Sequence, residues 1–189
     1  MLNPWQITRL DDEGRAALAT ARALVFLDVD GVLNHSGMWD DPPPRSSCPA
    51  TLEFRREQFD PACVERVERL CTSTGAVVVI SSSWRIAHSL AELRCMLRCR
   101  GLQAAVVGAT PRLPDRDIDA QRIERGHEIR TWLDAHGRGL PFVVLDGDGD
   151  MATVHDQHVR TSLLTGGFND EALTRAIAVI LGDKTGEPL

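Results

Sequence analysis

Two carboxylates, Asp28 and Asp30, stand directly before Gly31 at the end of an unbroken apolar run, Leu24-Val25-Phe26-Leu27. Such a run reads as a buried parallel strand, and the carboxyl ends of such strands are where open α/β sheets bind ligands. An acid at the edge of an apolar core is costly to desolvate unless a cation, a donor or a substrate accompanies it. The simplest companion for two such acids is Mg2+, a hard cation that takes oxygen ligands. The plainer alternative is that both acids cap a turn or begin a helix. A second candidate group, Ser81-Ser82-Ser83-Trp84-Arg85, follows another apolar run, Ala76 to Ile80. Hydroxyls and backbone N–H groups at a helix start can hold phosphate oxygens, although a polar loop with a helix cap has the same composition. A third, Asp146-Gly147-Asp148-Gly149-Asp150, closes the run Phe142 to Leu145. Its acid–glycine alternation is reminiscent of a calcium loop but lacks the full spacing and terminal Glu of an EF-hand.

Apolar strands alternate with amphipathic helices, which predicts a parallel sheet covered on both faces. The acids at 11–13 begin a short helix. Asp60-Pro61 caps a helix that carries Cys63, Val64, Val67, Leu70 and Cys71 on one face and stops at Gly75. Helical spacing resumes from Ile86 to Gly101, a third strand is expected at Ala104 to Val107, and a helix runs over Ile123 to His136. A short extended piece is expected near Val159, and a last helix from Asn169 to Gly182. Between the first strand and the Pro61 helix lies a polar section containing Pro42-Pro43-Pro44. Triple proline continues neither a helix nor a central strand, so residues 35–59 read as a flap over the strand ends.

With 189 residues, 25% charged and 43% apolar, the chain suits one domain with a proper core. No apolar run approaches the roughly 18 residues of a spanning helix, and the start lacks a secretory leader, which points away from membranes and to the cytoplasm. The cysteines at 48, 63, 71, 95 and 99 are odd in number, so reduced core thiols are expected ahead of a zinc site. A net charge of −6 argues against a broadly basic nucleic-acid surface and leaves room for a local basic cleft. Nothing in the pattern speaks for an oligomeric state.

Asp28-Val29-Asp30-Gly31-Val32-Leu33 resembles the first signature of the haloacid dehalogenase superfamily, most of whose members are Mg2+-dependent phosphatases. Val77 to Ser81 resembles the second signature, Arg125-Gly126-His127-Glu128-Ile129 a form of the third, with Arg122 as competitor, and Leu145 to Asp150 the fourth. The resemblance implies a Rossmann-like core of about five parallel strands without a large cap. It implies Asp28 as the nucleophile that becomes an aspartyl-phosphate, Asp30 as general acid and base, and Ser81 and Arg125 on the phosphate. It further implies Gly31, Ser82 and Arg85 at the substrate. Mg2+ would sit on Asp28, the backbone carbonyl of Asp30 and Asp146, with Asp150, or Asp148 in its place, as second acid; Gly147 breaks the adjacent-acid version of that motif.

The phrases around Ser81, Arg125 and Asp146 are also similar to a small capless branch associated with RNA repair and to polynucleotide 3'-phosphatase domains. That similarity implies RNA or DNA ends, or nucleotides, as substrates. Arg85, Arg94 and Arg98 could form a basic strip, and Trp39 or Trp84 could stack on a terminal base, against the alternative of a solvated helix face with Trp84 in the core. Two other functions stay open: a phosphatase of a small metabolite such as a sugar phosphate, and a non-catalytic metal- or phosphate-binding module.

Overall fold

A computed structural model describes residues 9–39, 58–113 and 125–183. The triple proline, most of the expected flap and Arg122 lie outside these residues. In chain order the elements are β1 (Arg9–Leu10), α1 (Asp12–Thr20), β2 (Ala23–Leu27), α2 (Pro61–Thr74), β3 (Ala76–Ile80), α3 (Trp84–Ala87), α4 (Leu90–Cys99), β4 (Val106–Ala109), α5 (Arg125–His136), β5 (Phe142–Asp146), β6 (His158–Arg160) and α6 (Asp170–Leu181). Short 3₁₀ turns occupy Ser36–Trp39 and Ala152–Gln157.

The sheet order is β1-β4-β3-β2-β5-β6, with β2 to β6 parallel and β1 an antiparallel edge piece on β4. β2 is central and buried along its whole length, because its alternating side chains feed two cores. Ala23, Val25 and Leu27 join the core built with α2, α4 and α6, whereas Leu24 and Phe26 join the one built with α1 and α5. There Phe26 meets the Trp132 ring edge-on at 5.6 Å. Two buried faces explain why β2, β3 and β5 read as continuous apolar runs rather than alternating ones.

The chain leaves β2 toward β3 and β4 on one side, then crosses back to β5 on the other. Where neighbouring strands send their connections in opposite directions a crevice opens at their carboxyl ends. Leu27 pairs with Leu145 across this junction. Asp28 and Asp146 are therefore the next residues on either side of the crevice.

Two expectations need correction, and one element is new. The helical spacing from Ile86 to Gly101 is not one helix: His88 is extended, and Ser89 starts α4 with a capping box in which its hydroxyl accepts from the Glu92 N–H and Glu92 accepts from the Ser89 N–H. The third parallel strand begins at Val106 instead of Ala104, because the Gln103 and Ala104 N–H groups both donate to the Glu68 carboxylate at 2.8 Å. The antiparallel β1 edge was not expected.

Candidate active site

The strand ends gather the predicted acids unequally. Asp28 is 6% exposed and Asp146 is fully buried. Backbone pairing fixes both, since the Asp28 N–H donates to the Leu145 carbonyl at 3.0 Å and the Asp146 carbonyl accepts from the Thr161 N–H at 3.0 Å; the Ser81 N–H likewise donates to the Leu27 carbonyl at 2.8 Å. Burial raises the Asp28 pKa, outweighing the Arg125 charge that lowers it. Burial, helped by the charge of Asp28, pushes the Asp146 pKa up to about 8. Its Oδ1 accepts from the Asp148 N–H at 2.8 Å, while Oδ2 is buried and accepts no hydrogen bond among the described residues.

Arg125, the first residue of α5, reaches into this cluster. Its Nη1 donates to the Ser81 carbonyl and lies 3.5 Å from Asp28 Oδ1; its Nε lies 2.9 Å from Asp146 Oδ2, although the N–H points off the line of a hydrogen bond. Nη2 is 3.9 Å from Asp148. Burial opposes the charge on Arg125, but the surrounding acids Asp28, Asp146, Asp150 and Asp148 overcome it and raise its pKa. Asp150 caps α5: its carboxylate accepts from the Arg125 N–H at 3.4 Å and its carbonyl from the Gly126 N–H at 3.1 Å. Asp150 Oδ1 and Ser81 Oγ are both buried without a partner among the described residues.

Asp30 is exposed. Its Oδ1 accepts from Asn34 Nδ2 at 2.8 Å and its Oδ2 from Trp84 Nε1 at 3.1 Å, while its carbonyl oxygen faces Gly147, 3.5 Å from where a Cβ would stand. Gly31 takes a left-handed φ of 76° at that turn and donates its N–H to Asn34 Oδ1 at 2.8 Å. Neither Asn34 nor Trp84 had been singled out as a partner of Asp30 from the sequence; an amide four residues beyond an acid in a glycine turn was the available signal.

These donors suit a hard divalent cation. Asp28, the Asp30 carbonyl and Asp146 offer oxygen only, and a buried Asp146 oxygen that has Arg125 beside it but accepts no hydrogen bond among the described residues is the observation that points to a further positive charge there. The side chains of Asp28, Asp30 and Asp146 do not form a three-carboxylate cage. Among the described residues the metal-capable trio whose donor atoms all lie within 4.8 Å of one another is His35, Asp60 and Cys63, a mixed nitrogen, oxygen and sulfur set. That trio is internally bonded: Asp60 caps α2 through the Ala62 N–H at 2.8 Å and contacts His35 Nε2 at 2.7 Å. Burial, with help from the Asp60 charge, pushes the Cys63 thiol up to about 12, so it stays a thiol. None of the four described cysteines is in a disulfide.

One sequence expectation fails here. Arg85 does not face a substrate: it is buried, bound to Glu128 at 2.5 Å and to the carbonyls of Ser82, Thr110 and Pro111 at 2.5, 3.1 and 3.4 Å. Of the two readings of the neighbouring arginines, the basic strip is the one set aside, because Arg94 forks onto Asp11 at 2.6 and 3.0 Å and Arg98 pairs with Glu13 at 3.0 Å. The acids at the start of α1 neutralise them. Trp84 lies in the core, 8% exposed and 5.2 Å from Phe59, so it is no surface platform. His127 is exposed.

A parallel sheet with acids at its crevice, a serine at the neighbouring strand end and a cation at the helix before the last acidic strand is the layout of the haloacid dehalogenase class, a superfamily of phosphatases and hydrolases. Within it, the chain belongs to the family described as the HAD domain in Swiss Army Knife RNA repair proteins, whose model matches residues 24–173. No curated protein and no solved structure matches the chain significantly. No helix among the described residues is long and apolar enough to cross a membrane.

Proposed function

We propose that the protein is a capless, single-domain Mg2+-dependent phosphomonoesterase that removes phosphate from nucleic-acid ends. The observation that carries the chemistry is the buried pair Asp28 and Asp146 flanking the crevice, bridged by Arg125. Asp28 attacks phosphorus in line, the bond to the ester oxygen breaks, and Asp30 gives that oxygen a proton. Water then attacks the aspartyl-phosphate, loses its proton to Asp30, and frees Asp28 with inorganic phosphate. Dividing the hydrolysis into two displacements is the use of such an intermediate. Arg125 and Ser81 hold the non-reacting phosphate oxygens, with the buried Ser81 hydroxyl available to donate. Held by Asp28, the Asp30 carbonyl and Asp146, with Asp150 or Asp148 behind them, a bound Mg2+ supplies charge neutralisation and orientation of the phosphate.

Support for a large leaving group comes from an open cleft of about 470 Å³ that starts at Asp30 and Gly31. Arg160 and the polar residues Thr161, Ser162 and Thr165 line it. Leu163 and Leu164 are 47% and 80% exposed beside it. The acid that protonates the leaving oxygen thus opens onto a trough with a cation and hydroxyls, which suits a sugar-phosphate chain. The family's description as a domain of RNA repair proteins supports the same reading. The test is phosphate release with Mg2+ from 3'- and 5'-phosphorylated oligonucleotides, mononucleotides and sugar phosphates. Preference for an oligonucleotide end is expected; equal or better turnover of sugar phosphates overturns the substrate, and equal release by Asp28→Asn overturns the mechanism.

A further inference from the structure

Asp30 is exposed, yet neither of its oxygens is unattended. Asn34 Nδ2 donates to one at 2.8 Å and Trp84 Nε1 to the other at 3.1 Å. The two donors come from different parts of the chain, the turn after β2 and the first residue of α3, and each is itself immobilised. Asn34 is 5% exposed and its amide oxygen accepts from the Gly31 N–H at 2.8 Å. The Asp60 N–H donates to the carbonyl of neighbouring Leu33 at 2.7 Å, tying this turn to the start of α2. Trp84 lies between the Phe59 ring at 5.2 Å and that of His88 at 5.6 Å. Its backbone N–H donates to Ser82 Oγ at 3.3 Å.

An exposed carboxylate has its rotamers open to water, and ordering a side chain in one of them costs entropy at the moment of reaction. Two rigid N–H donors remove that cost by fixing the carboxylate plane before substrate arrives. We infer that Asn34 and Trp84 are positioning residues that clamp Asp30 from both sides and aim its carboxyl group at the leaving oxygen of the phosphate ester. The clamp rests on the reading of Asp30 as general acid given above. Trp84 has a purpose in this arrangement that a core filler lacks: a phenyl ring would keep much of its packing and none of its donation.

The experiment compares kcat/KM on two substrates in one protein sample: 4-nitrophenyl phosphate, whose leaving phenolate departs without a proton, and a simple alkyl phosphate, whose alkoxide must be protonated. The ratio of the two rates is independent of the fraction of molecules folded, so a partly unfolded variant still reports. Trp84→Phe and Asn34→Ala are each expected to slow the alkyl ester about 10-fold or more relative to the aryl ester, the loss of one hydrogen bond to a charged group. Asp30→Asn is expected to lower the same ratio by about 10²–10⁴-fold. If both clamp variants slow the two esters equally while Asp30→Asn still collapses the ratio, Trp84 and Asn34 are only packing residues and the clamp is wrong, with the mechanism intact. If Asp30→Asn leaves the ratio unchanged, the general-acid reading falls and takes the clamp with it.

Discussion

Two buried arginines sit near the strand ends, and their surroundings are opposite. Arg85 faces a single acid, Glu128, and three backbone carbonyls; the other oxygen of Glu128 accepts from the Leu113 N–H at 3.1 Å. Burial lowers the Arg85 pKa, and Glu128 partly restores it. Arg125 faces several acids, and around it the Ser81 hydroxyl and one oxygen each of Asp146 and Asp150 lack a hydrogen bond among the described residues. Hydrogen-bond satisfaction therefore distinguishes the two arginines, where residue type and burial do not.

Removing the proposed nucleophile is expected to be the hardest blow to the Arg125 side. Asp28→Asn is expected to cut phosphate release by about 10⁴-fold or more while raising thermal stability, since burial already disfavours the charge. A steady-state assay beside a melting curve reads both. On the satisfied side, Glu128→Gln leaves Arg85 uncompensated and is expected to cost about 3–5 kcal/mol, read by denaturant unfolding, with kcat/KM per folded molecule little changed.

Asp146 sharpens the contrast through pH. With a folded pKa of about 8 against an ordinary 3.8, the folded state binds this proton more tightly than the unfolded one. Its contribution to stability is thus complete below the ordinary value and is lost as pH rises through about 8. Melting in EDTA should show stability falling with pH across that window, Asp146→Asn should flatten the fall, and Mg2+ should stabilise the wild type but not the variant. The smallest effect lies far from the crevice. Asp11 caps α1 and grips Arg94, whose hydrogen bond lowers its pKa to about 2, so this half-exposed contact weakens only in strong acid. Asp11→Asn keeps a capping side chain and should cost no more than about 1 kcal/mol in a neutral-pH melt.

The strands, the helix caps and the acids of the crevice were legible because each is a local statement: an apolar run, Asp60-Pro61, Asn169, a carboxylate after Leu27. Pairings across the chain were not. Nothing near Arg85 announces Glu128, and nothing near Arg94 announces Asp11, so both arginines read as available cations. Trp84 was weighed as a stacker or as core; its N–H pointing at Asp30 depends on where α3 begins relative to β2. The break at His88 was hidden because Ile86 and Leu90 fit helical spacing on their own, while the capping box at Ser89 and Glu92 decides the matter.

The crossover that brings β5 beside β2 has a consequence for how the protein comes into being. Asp28 is synthesised early and Asp146 late, and Arg125 shortly before it. Until β5 pairs with β2, Asp28 lacks its buried acidic neighbour. A ribosome-bound or proteolytically shortened chain ending before β5 would carry Asp28 and Arg125 without Asp146.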